Sequence, residues 1–147
     1  MVTVNLEVNV TAVKGALDKI KRKVPSATAK GIAVASTFIQ NAIKDRTRQG
    51  KSVNGGGFKR YSKSYAKQRA KRGASTTPNL FFSGQMLGNM SFKKLSSTKG
   101  QVFFPNRTQN IKAFFNDKTR PFFSVNRSEE DKAIKIFRKT FERELRI

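Results

Sequence analysis

The chain opens on a strict alternation of apolar and polar residues. Valine or leucine occupies every second position from Val2 to Val10, and Thr, Asn or Glu stands between them. Because successive side chains of a strand point to opposite faces, this period of two predicts a half-buried β-strand over residues 2–10.

Two helices are predicted next, with Pro25 between them. Four aliphatic residues recur at helical spacing from Val13 to Val24. Proline disfavours a helical conformation in the residue before it, so we expect the first helix to end at about Val24. Ser26 then has the character of an N-cap for a second, longer helix that runs to about Arg48.

The composition of residues 49–78 predicts a flexible arm that projects from the body. Three consecutive glycines, Gly55 to Gly57, follow the second helix, and residues 73–78 have the composition of a connector. Between them, Ser62 is the expected cap of a short helix that continues to Arg72. The glycines do not form a phosphate-binding P-loop, because they follow a helix and no Lys-Ser/Thr pair stands in register.

The sequence of the second half of the chain predicts short helices and strands, followed by a long helix. Ser83 is the expected cap of a short helix through Met90, and residues 91–95 and 101–104 predict a β-hairpin. A helix over 108–117 and an extended segment over 120–125 follow, and Ser128 is the expected cap of the final helix. The whole predicts one α+β domain, residues 1–147: an N-terminal strand, two helices, the basic arm, a small antiparallel sheet and a C-terminal helix.

Composition excludes several classes of protein. The 147 residues contain no Cys, His or Trp, so disulfides, thiolate or imidazole metal sites and triads that need His or Cys are excluded. The nine carboxylates show no spacing that would converge on a metal. We therefore expect no enzyme, no cofactor and no metal. No signal peptide or membrane span is predicted either, and we expect synthesis in the cytoplasm.

The charge is the most unusual property of the chain. With 31 Lys and Arg against 9 Asp and Glu, the formal net charge is +22, which favours a polyanionic partner. Eleven of the cations lie between residues 44 and 72, where Asp45 is the single acidic residue. They are Lys44, Arg46, Arg48, Lys51, Lys59, Arg60, Lys63, Lys67, Arg69, Lys71 and Arg72.

Two interpretations of this basic window stay open. Its side chains either contact the phosphates of nucleic acid without reading sequence, or form a solvated face. The interleaved Phe58, Tyr61 and Tyr65 either stack on bases or, as we favour, dock the arm on the body. We also expect Phe115 and Phe123 to be core residues.

The order of several motifs resembles a known family. Residues 43–50 are followed by Tyr61-Ser-Lys-Ser-Tyr-Ala-Lys67, by Leu80-Phe-Phe-Ser-Gly-Gln-Met-Leu-Gly-Asn-Met90, by Phe114-Phe-Asn-Asp117 and by Arg120-Pro-Phe-Phe-Ser-Val125. Over residues 27–140 this order is similar to that of the small virion-morphogenesis and tail-completion proteins of tailed bacteriophages, which join head to tail at the neck.

The resemblance implies a structural protein of the virion without catalytic activity. It implies a homo-oligomeric ring of about six subunits that completes or terminates the tail and contacts neighbouring neck and tail-tube proteins. The basic arm would face genome DNA in transient, sequence-independent contacts, or dock on an acidic neighbour. The candidate subunit-interface residues are Phe58, Tyr61, Tyr65, Phe114, Arg120, Pro121 and Phe122. The alternative function is a stand-alone, sequence-independent nucleic-acid-binding protein.

Overall fold

A computed structural model describes residues 10–96 and 98–146. In chain order the elements are α1 Val10–Arg48, α2 Lys63–Lys71, α3 Gln85–Gly88, β1 Ser91–Lys94, β2 Gly100–Phe103, α4 Arg107–Thr119 and α5 Arg127–Leu145. Helices with one small antiparallel sheet agree with the α+β class, although the fold is mostly helical. The predicted N-terminal strand lies outside the described residues, apart from Val10, which is helical.

The two helices predicted before and after Pro25 form one continuous helix. Helix α1 runs through Pro25 without a break, so the predicted end at Val24 and the predicted cap at Ser26 are wrong. Proline removes the hydrogen bond that its amide would donate to the carbonyl of Lys21. All residues from 14 to 26 are exposed, so water can hydrate that carbonyl and the helix continues.

Helix α5 packs along the second half of α1. The contact is close at Gly31, where a Cβ atom would lie 2.7 Å from the ring of Phe137. Ala27 on α1 and Thr140 on α5 are buried in the same region. Lys30 and Glu144 form an ion pair of 2.6 Å at its edge. The packing of α5 thus stabilises the half of α1 that follows the proline.

The predicted β-hairpin is confirmed. β1 and β2 pair antiparallel from Ser91 opposite Phe103 to Lys94 opposite Gly100. The hairpin packs on α1, and a Cβ atom at Gly100 would lie 2.8 Å from the hydroxyl of Ser36. Glycine at this position lets the sheet approach the helix.

The core lies where α1, α3, α4, the hairpin and the segment after α4 meet. Ile43, Leu87, Phe104 and Phe122 are among its buried residues. Phe123 packs against this core, with its ring centroid 4.9 Å from that of Phe104, as expected. Phe115 is 62% exposed, so its expected core position is wrong.

Of three N-caps predicted from the sequence, one is correct and two are misplaced by one or two residues. Ser62 caps α2, and its hydroxyl accepts a hydrogen bond of 3.3 Å from the amide of Tyr65, as predicted. The N-cap of α3 is Gly84 rather than Ser83. The N-cap of α5 is Asn126 rather than Ser128, and Asn126 and Glu129 form a reciprocal capping box.

Candidate functional site

The segment 49–78 is attached to the body at several points. Gly50 follows α1 in a left-handed conformation, with φ of 73°, and its carbonyl accepts a hydrogen bond of 2.8 Å from the amide of Phe58. The amide of Val53 donates to the carbonyl of Pro121 at 2.9 Å. Phe58 is only 7% exposed and belongs to the core. The favoured interpretation of Phe58 as a docking residue agrees with this position.

Arg69 is the most deeply buried of the eleven basic residues, at 1% exposure. Its Nε donates to the carbonyl of Ser75 at 2.6 Å, and its Nη2 donates to the carbonyl of Phe81 at 2.9 Å. Its guanidinium also lies over the rings of Tyr61, at 4.9 Å, and Phe82, at 5.2 Å. Arg69 therefore holds α2 against the segment that precedes α3.

Arg46, near the end of α1, likewise holds separate parts of the chain together. Its Nη2 donates to the carbonyls of Phe122 and Ser124, both at 2.7 Å, and its Nη1 pairs with the carboxylate of Glu129. The side chain joins α1, the extended segment after α4 and the start of α5. Arg46 and Arg69 thus lie inside the protein, where their guanidinium groups bond to its own backbone carbonyls, and neither belongs to the exposed outer face of the basic window.

The other nine residues of the basic window lie at or near the surface. Lys44 is half-buried, and the remaining eight are exposed. Burial, together with the nearby charge of Arg48, lowers the pKa of Lys44, and Asp45 opposes this shift. The exposed members are Arg48, Lys51, Lys59, Arg60, Lys63, Lys67, Lys71 and Arg72.

The seven candidate subunit-interface residues also divide into core residues and surface residues. Phe58 and Phe122, which is 0% exposed, are core residues, so neither is available to a second subunit on the surface. Phe114 is 55% exposed and Tyr65 is 40% exposed. The others are at the surface to different degrees: Tyr61 and Arg120 are half-buried, and Pro121 is exposed.

Arg120 and Asp117 position the extended segment that follows α4. The Nε of Arg120 donates to the carbonyl of Lys59 at 2.9 Å, and its guanidinium lies 4.9 Å from the ring centroid of Tyr61. One carboxylate oxygen of Asp117 accepts hydrogen bonds from the amides of Phe122 and Phe123, both at 2.8 Å. The Arg-Pro-Phe-Phe motif therefore connects α4 to the segment 49–78 and to the core.

A cavity of about 470 Å³ opens between α2, the segment before α3, and α4. Its cationic lining residues are Arg69, Lys112 and Arg120, and its aromatic ones are Tyr61, Tyr65 and Phe82. No Asp or Glu lines it among the described residues. We name it the Tyr65 cavity. The sequence singled out Tyr61, Tyr65, Arg69 and Arg120 separately but gave no signal for Lys112 or Phe82, because α4 and the loop before α3 meet α2 only in the folded chain.

Two groups of large apolar side chains lie on the surface. On the first half of α1, Leu17 is 59% exposed, and Ile20 and Val24 share its face at helical spacing. On α4, Phe114 and Phe115 contact each other with ring centroids 5.5 Å apart, and both are more than half exposed. Clusters of this kind on a small protein are typical of protein–protein contacts.

Two properties of the described part of the chain bear on other classes of site. Within residues 10–96 and 98–146, no three His, Cys, Asp or Glu side chains come together in a way that would hold a metal ion. None of the helices in this part is both long enough and apolar enough to span a membrane.

Comparison with known proteins gives no match. No protein-family model matches the chain, and neither a curated protein nor a solved structure does.

Proposed function

We propose that the chain is a structural subunit of a tailed-bacteriophage virion, located at the neck. In this proposal about six copies form a ring that completes or terminates the tail and joins it to the head. The subunit carries out no catalysis, and its partners are copies of itself and the adjoining neck and tail-tube proteins. The order of motifs between residues 27 and 140 is the basis of the proposal.

The exposed apolar groups support a ring of identical subunits. A head-to-tail ring needs two different surfaces on each subunit, because every copy contacts one neighbour through one surface and the other neighbour through the second. The face of Leu17, Ile20 and Val24 on α1 and the Phe114–Phe115 pair on α4 lie on different elements and are both exposed. We assign them as the two sides of the contact between copies, and the Phe114–Phe115 pair is the observation that most directly supports this.

The test is the oligomeric state of the purified full chain. Light scattering and negative-stain imaging should show closed rings of several copies. The variant Phe115→Asp should give monomers, because it places a charge in the buried contact. The matched control is Leu95→Asp, at a residue that is 55% exposed in the hairpin turn, and it should still form rings. A folded wild-type chain that stays monomeric at all concentrations, and that does not join tail fragments, would contradict the proposal.

The exposed basic residues provide a separate prediction. Replacing Lys59, Arg60, Lys63 and Lys67 together by Gln should leave the fold intact, because all four side chains are exposed and Arg120 contacts only backbone carbonyls there. Assembly with the virion should be impaired, because these charges face DNA or an acidic neighbour. Circular dichroism and incorporation into tail fragments are the measurements. An unfolded variant would show that these side chains contribute to the core after all.

A further inference from the structure

The Tyr65 cavity combines features that ring assembly does not need. Two of its three cations, Arg69 and Arg120, are held in fixed positions by the chain itself. Arg69 is bound through Nε and Nη2, and Arg120 donates to the carbonyls of Lys59 and Arg60. Rigid guanidinium groups recognise phosphate well, since little side-chain entropy is lost on binding. The cavity is therefore preorganised for an anion.

Unused hydrogen-bonding groups also face this region. Among the described residues, Nη1 of Arg69 donates no hydrogen bond, although the side chain lines the cavity. The amide oxygen of Gln109, on α4, is buried and accepts no hydrogen bond from the described residues. A ligand that carries both an anionic group and an N–H or amino donor would satisfy both groups.

The aromatic walls define the rest of the ligand. Tyr65 is 40% exposed and Phe82 is 44% exposed, so each presents ring surface at the cavity. Exposed rings beside a cationic groove are the usual platform on which unpaired bases stack. Arg69 lies over part of both rings and Arg72 over part of Phe82, and an acidic peptide would leave the remaining exposed ring surface without a planar partner.

We propose that the Tyr65 cavity binds a nucleoside phosphate. The base stacks on Tyr65 and Phe82, the amide oxygen of Gln109 accepts a hydrogen bond from the base, and the phosphate lies against Arg69, Lys112 and Arg120. The source is either a free nucleotide or one unit of a single strand. Lys63, Lys67 and Arg72 are exposed on or next to α2 and would accompany the backbone of a strand beyond the cavity. This site is additional to the proposed ring and does not depend on it.

The test is the binding of thymidine monophosphate and of a labelled oligothymidylate to the full chain. Tyr65→Leu and Phe82→Leu keep apolar volume but remove the aromatic face, and each should weaken binding by about fivefold to a hundredfold. Phe115→Leu, at an exposed ring outside the cavity, is the matched control and should bind as the wild type does. Binding of both probes indicates that a free nucleotide suffices, and binding of the oligonucleotide alone assigns the site to a strand.

The contribution of the cations is tested separately, through the salt dependence of oligonucleotide binding. Lys112→Gln should lower the slope of log affinity against log salt for the oligonucleotide by about 0.7, as one lost phosphate contact does for a single strand. Lys135→Gln on α5, exposed and outside the cavity, should affect this slope less, since it removes the same charge elsewhere.

Several results would overturn the proposal. One is oligonucleotide binding that is unchanged by Tyr65→Leu, Phe82→Leu and Lys112→Gln. Another is competition by inorganic phosphate as strong as that by the nucleotide, which would reduce the cavity to a simple anion site. A third is tight binding of a hexaglutamate peptide that depends on Lys112, with no nucleotide binding, which would assign the cavity to an acidic protein segment.

Discussion

At the scale of single residues, burial changes the role of a basic side chain. Arg46 and Arg69 belong to a run of cations that the sequence presents as one surface, yet they are 8% and 1% exposed. A charge leaves water only where hydrogen bonds replace its hydration, and both guanidinium groups have backbone carbonyls as acceptors. The sequence could not reveal this, because those carbonyls belong to distant parts of the chain.

Replacing Arg46 should be strongly destabilising. Arg46→Met leaves the carbonyl of Phe122 without its partner in a buried place, and the carbonyl of Ser124 and the carboxylate of Glu129 in a partly buried one. We expect the free energy of unfolding to fall by about 3–5 kcal/mol, as when one member of a buried pair is removed. Urea denaturation measures this change. Lys51→Met, at an exposed position of the same window, should change it by less than about 0.5 kcal/mol.

Gly50 should tolerate no side chain. Its φ is 73°, and a Cβ atom would lie 2.6 Å from the carbonyl oxygen of Pro78. Gly55 has a similar φ of 82° but open space around it. Gly55→Ala should therefore cost only the left-handed conformation, about 1–2 kcal/mol, and Gly50→Ala clearly more. Equal losses in thermal or urea unfolding would show that the backbone contact with Pro78 has no energetic weight.

At the scale of elements, local patterns were predicted better than element ends. The hairpin, α2 with its Ser62 cap, and the final helix were all predictable, since their signals are contained in a few neighbouring residues. The continuity of α1 through Pro25 was not predictable, because the sequence does not show that this part of the helix is exposed to water, and because α5, which packs on the part after the proline, begins about 80 positions beyond the end of α1. The Tyr65 cavity was missed because its walls also come from parts of the chain that meet only in the fold.

Pro25 offers a test of how the first half of α1 is held. Pro25→Ala restores one helical hydrogen bond and removes a residue that costs about 3 kcal/mol inside a helix. Because residues 14–26 are exposed, we expect the gain to be local. Hydrogen exchange of the amides of residues 14–24 and 26 should slow, while the global free energy of unfolding changes little. Ser26→Ala is the control, and a global gain near 3 kcal/mol would show that this half unfolds together with the core.

At the scale of the whole molecule, ion pairs between the described residues are few compared with the net charge of +22, and the Lys30–Glu144 pair joins α1 and α5. The hydrogen bond from Lys30, aided by the charges of Lys30 and Arg143, lowers the pKa of Glu144 and outweighs the opposing effect of desolvation. A carboxyl with a lowered pKa in the folded state stabilises the fold above its ordinary value of 4.5, and this contribution is lost as the pH falls through the lowered pKa.

The difference between wild type and Glu144→Gln should follow this dependence. Wild type should be the more stable at neutral pH, and the two unfolding midpoints should converge as the pH falls below about 4.5. Glu142→Gln on the same helix removes an exposed carboxylate that forms no ion pair with the described residues, so its difference from wild type should stay small. A constant difference for Glu144→Gln down to low pH would show that the pair adds no stability.

The length of α1 has a consequence for how the subunit moves through solution. At about 1.5 Å per residue, its 39 residues span about 58 Å. A compact chain of 147 residues has a radius of gyration of about 15 Å, so a sphere of that size is only about 38 Å across. The exposed end of α1 therefore increases friction, and a monomer should elute from a sizing column ahead of globular standards of its mass. Elution volume alone would overcount the subunits, and only a shape-independent mass can distinguish one elongated copy from two compact ones.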